Sequence, residues 1–546
     1  MLAARPDAAC VKAAQKARVV PSSNDVAARR VAADVDAAPD GAPDGGNVYV
    51  LAAGAAAEDP GSGTTNFAAT DLKAAGSWQV GLSGGGFSYS YPIPVPPPVA
   101  GKAPELALSY SSSGVDSLTN YTNNQASVAG MGWELSTGFV ERRFRACADD
   151  AAETTKNSDQ RNWKHQCWES PDENDGDAAT TDYTTSHLTL SVGGKSSAIV
   201  KDQTSGGWKT VEDYGWKIDY QPSSVTGQSF WLVTTLDGTV YRFGYRRDSM
   251  WQTAYVGDDP GEPCRDQYSK TGMPGLCDAP WRWNLDQEID PNGNVIDYTY
   301  TREENWYCKV VGALCQPGPL GDGRAFRVAY DRGGYLAQVA YGRNTNVAGS
   351  AHTARVTFNT VDRGQPPAPG APWDNDTPTD LNCPSGPPDV ITACDTPGPA
   401  FYISKRLDSI VTSVVNPSGG WDEVYRLEAG YKWVYTQVIP PLPPAGPVLW
   451  LDTLRPVGLA GTGPDIALPP VDFEAVLLDN RADYNDSQGK PRLRMPRISA
   501  VYNGLGGRTD ITYGQANPCP IPSGYPTTGW DTGARDCYMA TLGTYH

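Results

Sequence analysis

The chain has 546 residues, among them 58 Gly, 46 Pro, 28 Tyr and 16 Trp, and its formal net charge at pH 7 is -18. It is several times as long as a typical domain, and its many turn-forming and aromatic residues favour β structure. The acidity argues against a nucleic-acid-binding protein, which needs clustered Lys and Arg, and no apolar run reaches the roughly 20 residues that span a bilayer.

The first 75 residues differ in composition from the rest of the chain. Residues 1–75 are rich in Ala, Asp, Gly and Pro and almost lack aromatic side chains. Such a segment cannot bury enough apolar surface to become ordered, so we predict a disordered leader. Its N-terminus has no apolar signal-peptide core, and we expect an export signal to have been lost or to lie upstream.

A proline-rich strand follows the leader, with the sequence GGGFSYSYPIPVPPP at residues 84–98. Alternation places the side chains of Phe87, Tyr89, Tyr91, Ile93 and Val95 on one face. The prolines at 92, 94 and 96 remove N–H donors from one edge only, so we predict a strand that packs through its aromatic face and has one blocked edge. A ligand for an SH3-type domain is the alternative interpretation of the prolines.

Short alternating runs around Gly, Asn and Asp predict four hairpins farther along the chain. Residues 229–245 turn at Asp237-Gly238, and residues 283–300 turn at Asn292-Gly293, dipeptides typical of a type I′ turn. The other two predicted hairpins are residues 326–342, turning at 331–334, and residues 497–514, turning at 503–507. The predicted fold class is therefore mainly β, with antiparallel sheets and hairpins in a large β scaffold.

The composition divides the ordered part of the chain into regions. Residues 76–363 form a first β-rich region, and residues 364–399, dense in Pro and Asp, are predicted to be a long surface insertion. Residues 400–546 form a second β-rich region, with another proline-rich connection at 440–447.

Ten of the 11 cysteines lie as close neighbours in the sequence, with Cys10 apart from them. This spacing favours local disulfides in an oxidising compartment over a metal site, although buried free thiols are also compatible with it. The predicted pairs are Cys147 with Cys167, Cys264 with Cys277, Cys308 with Cys315, Cys383 with Cys394, and Cys519 with Cys537.

The sequence offers little for catalysis. The chain has four histidines, His165, His187, His352 and His546, and none has the spacing of a catalytic triad or a zinc site. Carboxylates that could serve a glycosidase are Glu303, Glu304, Asp172, Asp175 and Asp177, but nothing in the sequence fixes their separation. We therefore predict no catalytic residues, no cofactor and no metal, with calcium at residues 171–183 or 290–297 as a minor hypothesis.

Four tryptophans suggest a second function class. Trp163, Trp168, Trp208 and Trp216 lie among polar residues and could form a sugar-binding platform in an adhesin, although we expect most of them in sheet cores.

An ordered succession of fragments gives the chain a family resemblance. FSYSYPIPVPPP, LALSYSSSGVD, GMGWELSTGFVERRF, LDGTVYRFG, YDRGGYLAQVAYG and PRISAVYNGLGGRTDITYG occur in this order. Over about residues 76–540 the chain resembles the N-terminal region of actinobacterial RHS, or YD-repeat, proteins. The resemblance implies a β wall that partly forms or caps a hollow shell, in a secreted or cell-surface protein related to polymorphic toxins.

The same resemblance implies partners for the chain. They are the remainder of an RHS shell and its C-terminal effector, with a cell-wall glycan or a surface receptor as the alternative. From the sequence we expect aromatic side chains to pack the wall, and these are Phe87, Tyr89, Tyr91, Trp133, Trp283, Tyr298, Tyr300 and Tyr341.

Overall fold

The computed structural model describes those parts of the chain that carry its sheets. They are residues 22–25, 30–33, 76–81, 85–116, 118, 125–135, 137–147, 165–168, 188–202, 204–257, 263–264, 276–308, 327–364, 377–378, 381–383, 398–437, 445–459, 461, 463–480 and 493–514. Almost all regular structure in these residues is antiparallel β-strand, which confirms the predicted fold class. The helix that lies wholly within them is the single turn α1 (Ser113–Asp116).

Two small sheets lie in the N-terminal part of the chain. Strands β1 (Ser22–Asp25) and β2 (Arg30–Ala33) pair within the predicted leader, whose other residues up to 75 lie outside the described part. The second sheet has four strands in chain order. They are β3 (Ser77–Val80), β4 (Phe87–Pro92), β5 (Ala107–Ser111) and β6 (Trp133–Glu134).

Eight strands of the large sheet close on themselves, because one strand pairs with both ends of the series. These strands are β7 (Phe139–Arg142), β10 (Leu188–Val192), β11 (Lys195–Lys201), β12 (Trp208–Thr210), β13 (Lys217–Pro222), β14 (Ser229–Thr234), β15 (Val240–Phe243) and β17 (Leu276–Ile289). β10 to β15 pair in order, β15 pairs with β17, and β7 pairs with both β17 and β10. We call this closed set the eight-strand ring; a ring of this size is about wide enough for side chains to fill.

Three further strands lie beside the ring. They are β8 (Arg145–Ala146), β9 (Gln166–Cys167) and β16 (Met250–Val256). β16 pairs antiparallel with β17, and it meets β9 through a single parallel pair of residues.

The rest of the large sheet is a long antiparallel meander that leaves the ring at β17. Its strands are β18 (Asn294–Cys308), β19 (Arg327–Asn344), β20 (Ala354–Asp362), β21 (Lys405–Val415), β22 (Trp421–Gln437), β23 (Ala445–Gly458), β24 (Ile466–Ala467), β25 (Val471–Asp479), β26 (Arg494–Tyr502) and β27 (Arg508–Asp510). Each strand from β17 to β23 pairs with the next, and β23, β25, β26 and β27 continue the series.

The proline-rich strand behaves as its pattern predicts. Phe87, Tyr89, Tyr91 and Ile93 are buried on one face of β4. β3 pairs with β4 only as far as Ser90, so the prolines at 92, 94 and 96 continue along an edge that β3 no longer covers. On the other edge the Ile93 N–H donates to the Leu106 carbonyl at 2.9 Å. The prolines thus block one edge while the other edge pairs with the sheet.

Three of the four predicted hairpins are confirmed, formed by β14–β15, β17–β18 and β26–β27. The type I′ turn is wrong, because φ is positive at Gly238 and Gly293 but not at the residues before them. In the first hairpin Gly238 N–H donates to the Thr235 carbonyl at 2.9 Å, and Thr235 N–H donates to the Thr239 carbonyl at 3.0 Å. This is the pattern of a type I turn followed by a glycine bulge.

The predicted hairpin at residues 326–342 is wrong, because β19 runs unbroken through the expected turn and pairs along its length with β18. The glycines serve a close approach instead. A Cβ on Gly334 would lie 2.4 Å from the Thr301 carbonyl oxygen and 2.7 Å from Cζ2 of Trp251. Only glycine leaves room for the Trp251 ring at this point of the strand.

The predicted insertion at 364–399 connects two strands that pair with each other, β20 and β21. Most of it lies outside the described residues, but a short piece packs on the sheet. Asn305 on β18 donates to the Leu381 carbonyl at 2.9 Å, and its side-chain oxygen accepts the Cys383 N–H at 2.8 Å. Cys383 is buried, whereas Asn382 beside it is exposed, so this short piece packs on the sheet at one residue and faces solvent at the next.

Candidate functional site

A cluster of buried charges joins the eight-strand ring to the meander, and we call it the charged junction. Its first centre is Asp286 on β17, whose side chain has no exposed surface. Four donors surround this carboxylate: Arg242 Nε at 2.6 Å, Tyr245 N at 2.7 Å, Arg246 N at 3.1 Å and Ser249 Oγ at 2.9 Å. The desolvation of the buried charge is thus offset by an ion pair and three further hydrogen bonds.

The second centre of the charged junction is Asp331 on β19, which is 1% exposed. Arg247 donates to its Oδ2 at 2.9 Å, the Gln252 N–H donates to the same oxygen at 2.7 Å, and Arg302 binds Oδ1. One carboxylate therefore links three strands and the β15–β16 connection.

The connection between β15 and β16 supplies most of the remaining bonds in the charged junction. Arg246 donates through Nη2 to the Tyr298 carbonyl, and Asp248 Oδ2 accepts the Tyr300 N–H at 2.9 Å. The Asp248 carbonyl accepts Trp251 Nε1–H at 3.2 Å. These groups hold neighbouring strands together.

A second joint lies between the small sheet and the meander, where residues 125–133 insert between distant strands; we call this segment the wedge. Gln125 forms two hydrogen bonds with Ile403, both 2.8 Å long. Leu407 N–H donates to the Val128 carbonyl at 2.8 Å, and Met131 N–H donates to the Leu449 carbonyl at 2.8 Å. The wedge is thus fixed to β21 and β23 mainly through its backbone.

Arg363, the residue after β20, holds the wedge in place through hydrogen bonds. It is 2% exposed and donates to the carbonyls of Ala126 at 3.0 Å, Ser127 at 3.2 Å and Lys405 at 3.2 Å. One buried guanidinium therefore satisfies acceptors on both sides of the joint.

Aromatic rings pack next to the wedge, between the four-stranded sheet and the meander. Trp133 lies 4.8 Å from Phe473 and 5.5 Å from Tyr110 between ring centres. Trp450 Nε1 donates to the Phe473 carbonyl at 3.0 Å, where β23 and β25 diverge. Tyr89 also meets Phe473, at 5.6 Å, in an edge-to-face arrangement.

Burial raises the pKa of the tyrosine hydroxyls in these cores, so the phenols remain neutral hydrogen-bond partners. Desolvation is the main cause at Tyr110, whose hydroxyl accepts the Ile498 N–H at 3.1 Å. For Tyr330 burial raises the pKa to about 12. Tyr341 donates to the Pro96 carbonyl at 2.5 Å, and this bond ties the proline-rich strand to β19.

The structure places all eight predicted wall aromatics in one core, each at most 7% exposed. It does not gather them at one point. Phe87, Tyr89 and Tyr91 lie on β4 and Trp133 on β6, whereas Trp283, Tyr298, Tyr300 and Tyr341 lie on β17 to β19.

Two of the predicted cysteine pairs are disulfides in the structure, Cys147–Cys167 and Cys264–Cys277. Cys308 and Cys383 are also disulfide-bonded. Their predicted partners, Cys315 and Cys394, lie outside the described residues, as do Cys519 and Cys537.

The polar residues considered for catalysis have structural contacts. His165 Nδ1 lies 3.2 Å from the Tyr307 hydroxyl, and His352 Nε2 lies 2.8 Å from Asp297 Oδ2. Glu303 pairs with Arg332 at 2.7 Å and accepts the Ser404 N–H at 2.8 Å.

The other candidates in the described part of the chain also have structural contacts. Glu304 pairs with Arg302 at 2.8 Å near the surface. Asp290, in the second calcium candidate, accepts the Asn292 and Asn294 N–H groups of its own turn at 2.9 Å. No group of three His, Cys, Asp or Glu in the described part of the chain could hold a metal ion. His187, His546 and residues 171–183 lie outside that part.

The tryptophans proposed as a platform are separated. Trp168 is 4% exposed and packs on Tyr255 at 5.0 Å, whereas Trp208 packs on Trp231 at 5.0 Å. Trp216 lies half-buried beside Tyr214 at 4.8 Å. Trp163 lies outside the described residues. Trp168 is thus a core residue and cannot offer an open ring face.

Sequence reasoning missed the charged junction and the role of Arg363. The available signal was the Arg-Arg-Asp-Ser run at 246–249, which is unusually charged for a connection that follows an aromatic strand.

None of the helices in the described residues is both long and apolar enough to cross a membrane.

Comparison with protein families gives one match. Residues 82–364, just over half of the chain, match the family described as "SpvB: Salmonella virulence plasmid 65kDa B protein". No curated protein sequence matches the chain significantly.

Solved structures show a distant similarity. The crystal structure of TcdB2-TccC3 is 16% identical with a TM-score of 0.40, over 76% of this chain and 17% of that chain. A mutant Tc holotoxin pore from Photorhabdus luminescens is 16% identical with a TM-score of 0.37, over 76% of this chain and 17% of that one. The N-terminal domain of effector protein SpvB from Salmonella typhimurium strain LT2 is 15% identical with a TM-score of 0.34, over 68% of this chain and 99% of that domain. The chain thus spans about a sixth of the length of the first two.

Proposed function

The chain belongs to the family of the Salmonella virulence plasmid 65kDa B protein, SpvB, and from this membership we propose that it is a non-enzymatic wall segment. In this role it forms a structural, encapsulating part of a secreted or cell-surface protein of the RHS type that delivers a toxin. Its partners are the remainder of the shell and a C-terminal effector.

The observation that carries this proposal is the order of the meander. From β17 to β27 the strands follow the chain, so each added strand needs only its neighbour as a partner. A sheet built in this way extends into a continuous wall without rearranging the strands already formed.

The polar groups support the same function. The buried carboxylates Asp286, Asp331 and Glu303 are each occupied by Arg and by backbone N–H groups. Such carboxylates hold strands together, whereas a general acid or base must reach a substrate. In this proposal, the eight wall aromatics are residues that pack the core of the shell.

The alternative proposal is an adhesin module that binds a cell-wall glycan or a surface receptor. Binding by the predicted tryptophan platform requires its rings to be exposed together, and Trp168, one member of that platform, is buried. The wall is therefore the better supported of the two functions.

Electron cryomicroscopy of the assembly that contains this chain, purified from the medium or surface of the producing cells, tests the proposal. We expect β17 to β27 to form part of a closed wall, with another polypeptide in the enclosed space. A chain that purifies alone, with both faces of the meander in solvent, would contradict an encapsulating role.

A further inference from the structure

One end of the eight-strand ring carries basic and aromatic side chains on its inner face. The pairing register fixes this end: Leu188 lies opposite both Arg142 and Ile199, and Lys201 lies opposite Trp208. By strand alternation Lys201 shares the inner face of Ile199, since it lies two residues farther along β11. Successive inner positions toward this end are therefore Arg142 on β7, Lys201 on β11 and Trp208 on β12.

The next strands of the ring add further aromatic side chains to the same end. Tyr220, two residues beyond the buried Ile218 on β13, lies opposite Trp231 on β14. Trp283 on β17 lies opposite Val140 on β7, and its Nε1 donates to the Ser229 carbonyl at 2.9 Å. The mouth of the ring thus combines two cationic side chains with four aromatic rings.

Arg142 is buried without an anionic partner. It is 8% exposed, and its Nε has no hydrogen-bond partner. Its guanidinium carbon lies 4.3 Å from the ring centre of Trp168 and 5.4 Å from that of Trp283. Burial lowers the pKa of Arg142, and its favourable contacts are with tyrosine hydroxyls, with no carboxylate among them in the described residues. Contacts with aromatic faces offset only part of the desolvation of such a charge.

Among the described residues, the tyrosine next to Arg142 at this end of the ring is partly exposed. Tyr220, which hydrogen-bonds to Arg142, is 37% exposed. Its ring stacks on Trp231 with centres 4.3 Å apart, and Trp208 stands 6.2 Å away, half-buried. A flat aromatic surface therefore lies next to the unpaired cation.

We propose that this mouth binds a carboxylated saccharide, with the carboxylate against Arg142 and the sugar ring against Tyr220 and Trp208. A guanidinium donates two parallel hydrogen bonds to a carboxylate, and aromatic faces pack against the apolar face of a pyranose. Lys201 lies on the same inner face, two residues from Ile199. The mouths of closed sheets are frequent places for small-molecule sites.

The aromatic surface of Tyr220 and Trp208 favours a sugar acid over a simple anion as the ligand. A phosphate or chloride ion would need only the cation, whereas Tyr220 and Trp208 offer a surface that such an ion leaves uncovered. This binding site goes beyond the proposed wall function and does not depend on it, so either inference can fail alone.

Calorimetric titration of the intact chain with trigalacturonic acid tests the proposal, with maltotriose as the neutral sugar and inorganic phosphate as the simple anion. We expect trigalacturonate to bind, and maltotriose and phosphate to bind at least about tenfold more weakly. Absence of binding by trigalacturonate, or equal binding of either comparison ligand, overturns the proposal.

Variants of the chain locate the site. Tyr220→Ala, at an exposed position, and Arg142→Met should each weaken trigalacturonate binding at least about tenfold. Arg355→Met is the matched control, because Arg355 also has an unpartnered Nε and lies 4.4 Å from an aromatic ring, that of Trp421, but outside the ring of strands. Unchanged binding in Tyr220→Ala overturns the proposal even if Arg142→Met does not fold.

Discussion

The buried carboxylate of Asp331 serves as a joint between strands. It receives Arg247, Arg302 and the Gln252 N–H, and these donors come from the β15–β16 connection and from strands β18 and β16. The carboxylate is 1% exposed and is shared by three donors, whereas the Arg247 side chain is 41% exposed and Arg302 also pairs with Glu304. Replacing its charge weakens three hydrogen bonds at once. The free energy of unfolding therefore depends strongly on this single side chain.

We expect Asp331→Asn to lower the free energy of unfolding by about 1.5–3 kcal/mol, since it removes the buried charge that accepts hydrogen bonds from Arg247, Arg302 and the Gln252 N–H. Urea denaturation of the purified chain measures the change. Asp452→Asn is the matched control, because Asp452 pairs with Lys432 at 2.6 Å but both side chains are more than a third exposed. The control should change the same free energy by less than about 1 kcal/mol. Equal effects of the two substitutions would show that the charged junction is not a structural centre.

Asp297 gives a prediction about pH. Burial by itself raises the pKa of Asp297, but hydrogen bonds from His352, Gln287 and Arg343 outweigh it and lower the pKa to about 2. A carboxylate with a lowered folded-state pKa stabilises the fold above its unfolded pKa near 3.9, and it loses this contribution as the pH falls toward 2.

Wild type and Asp297→Asn should accordingly differ by about 2 kcal/mol in unfolding free energy at pH 6, and the difference should shrink between pH 5 and pH 2. Denaturation series at several pH values give this comparison. A difference that stays constant down to pH 2 would mean that the Asp297 charge is not what stabilises the loop at His352.

At the scale of single residues, the sequence predicted the apolar side chains better than the polar ones. Alternation along β4 correctly assigned Phe87, Tyr89 and Tyr91 to one buried face, because this pattern depends on the strand alone. The partners of Asp286 and Asp331 come from other strands, 44 and 84 residues away in the case of Arg242 and Arg247. A local pattern contains no information about such pairs.

At the scale of elements, hairpins with local turn chemistry were predictable and β19 was not. The turns at Gly238 and Gly293 depend on residues within the turn, so a short sequence window contains the signal. The Asp-Arg-Gly-Gly run of β19 has the same composition as a turn. Gly334 in this run is required by Trp251, which lies far away in the sequence.

Gly334→Ala tests this interpretation of β19. We expect a loss of about 2–3 kcal/mol in unfolding free energy, because the new methyl group would collide with the Thr301 carbonyl and the Trp251 ring. Gly458→Ala is the control on another strand, where the nearest atom to a new Cβ is 3.9 Å away. Thermal unfolding followed by circular dichroism compares the two variants. A Gly334→Ala protein as stable as the control would favour a flexible turn at this point.

At the scale of the whole molecule, the wedge joins the four-stranded sheet to the meander. Residues 125–133 bond to β21 and β23, and Arg363 joins the wedge to Lys405. Arg497 on β26 adds a bond to Asp116 at 2.5 Å, and Asn480 donates to the carbonyls of Val115 and Leu118. The four-stranded sheet and the last strands of the meander are therefore tied together across several hundred residues of sequence.

Native-state hydrogen exchange tests this central claim most directly. If the small sheet, the wedge and the meander are one cooperative wall, amides of β4 and β5 should open with the same free energy as those of β21 and β23. Arg363→Met should lower both values by the same amount. A small sheet that opens at a lower free energy than β21 and β23, and that alone responds to Arg363→Met, would contradict the claim.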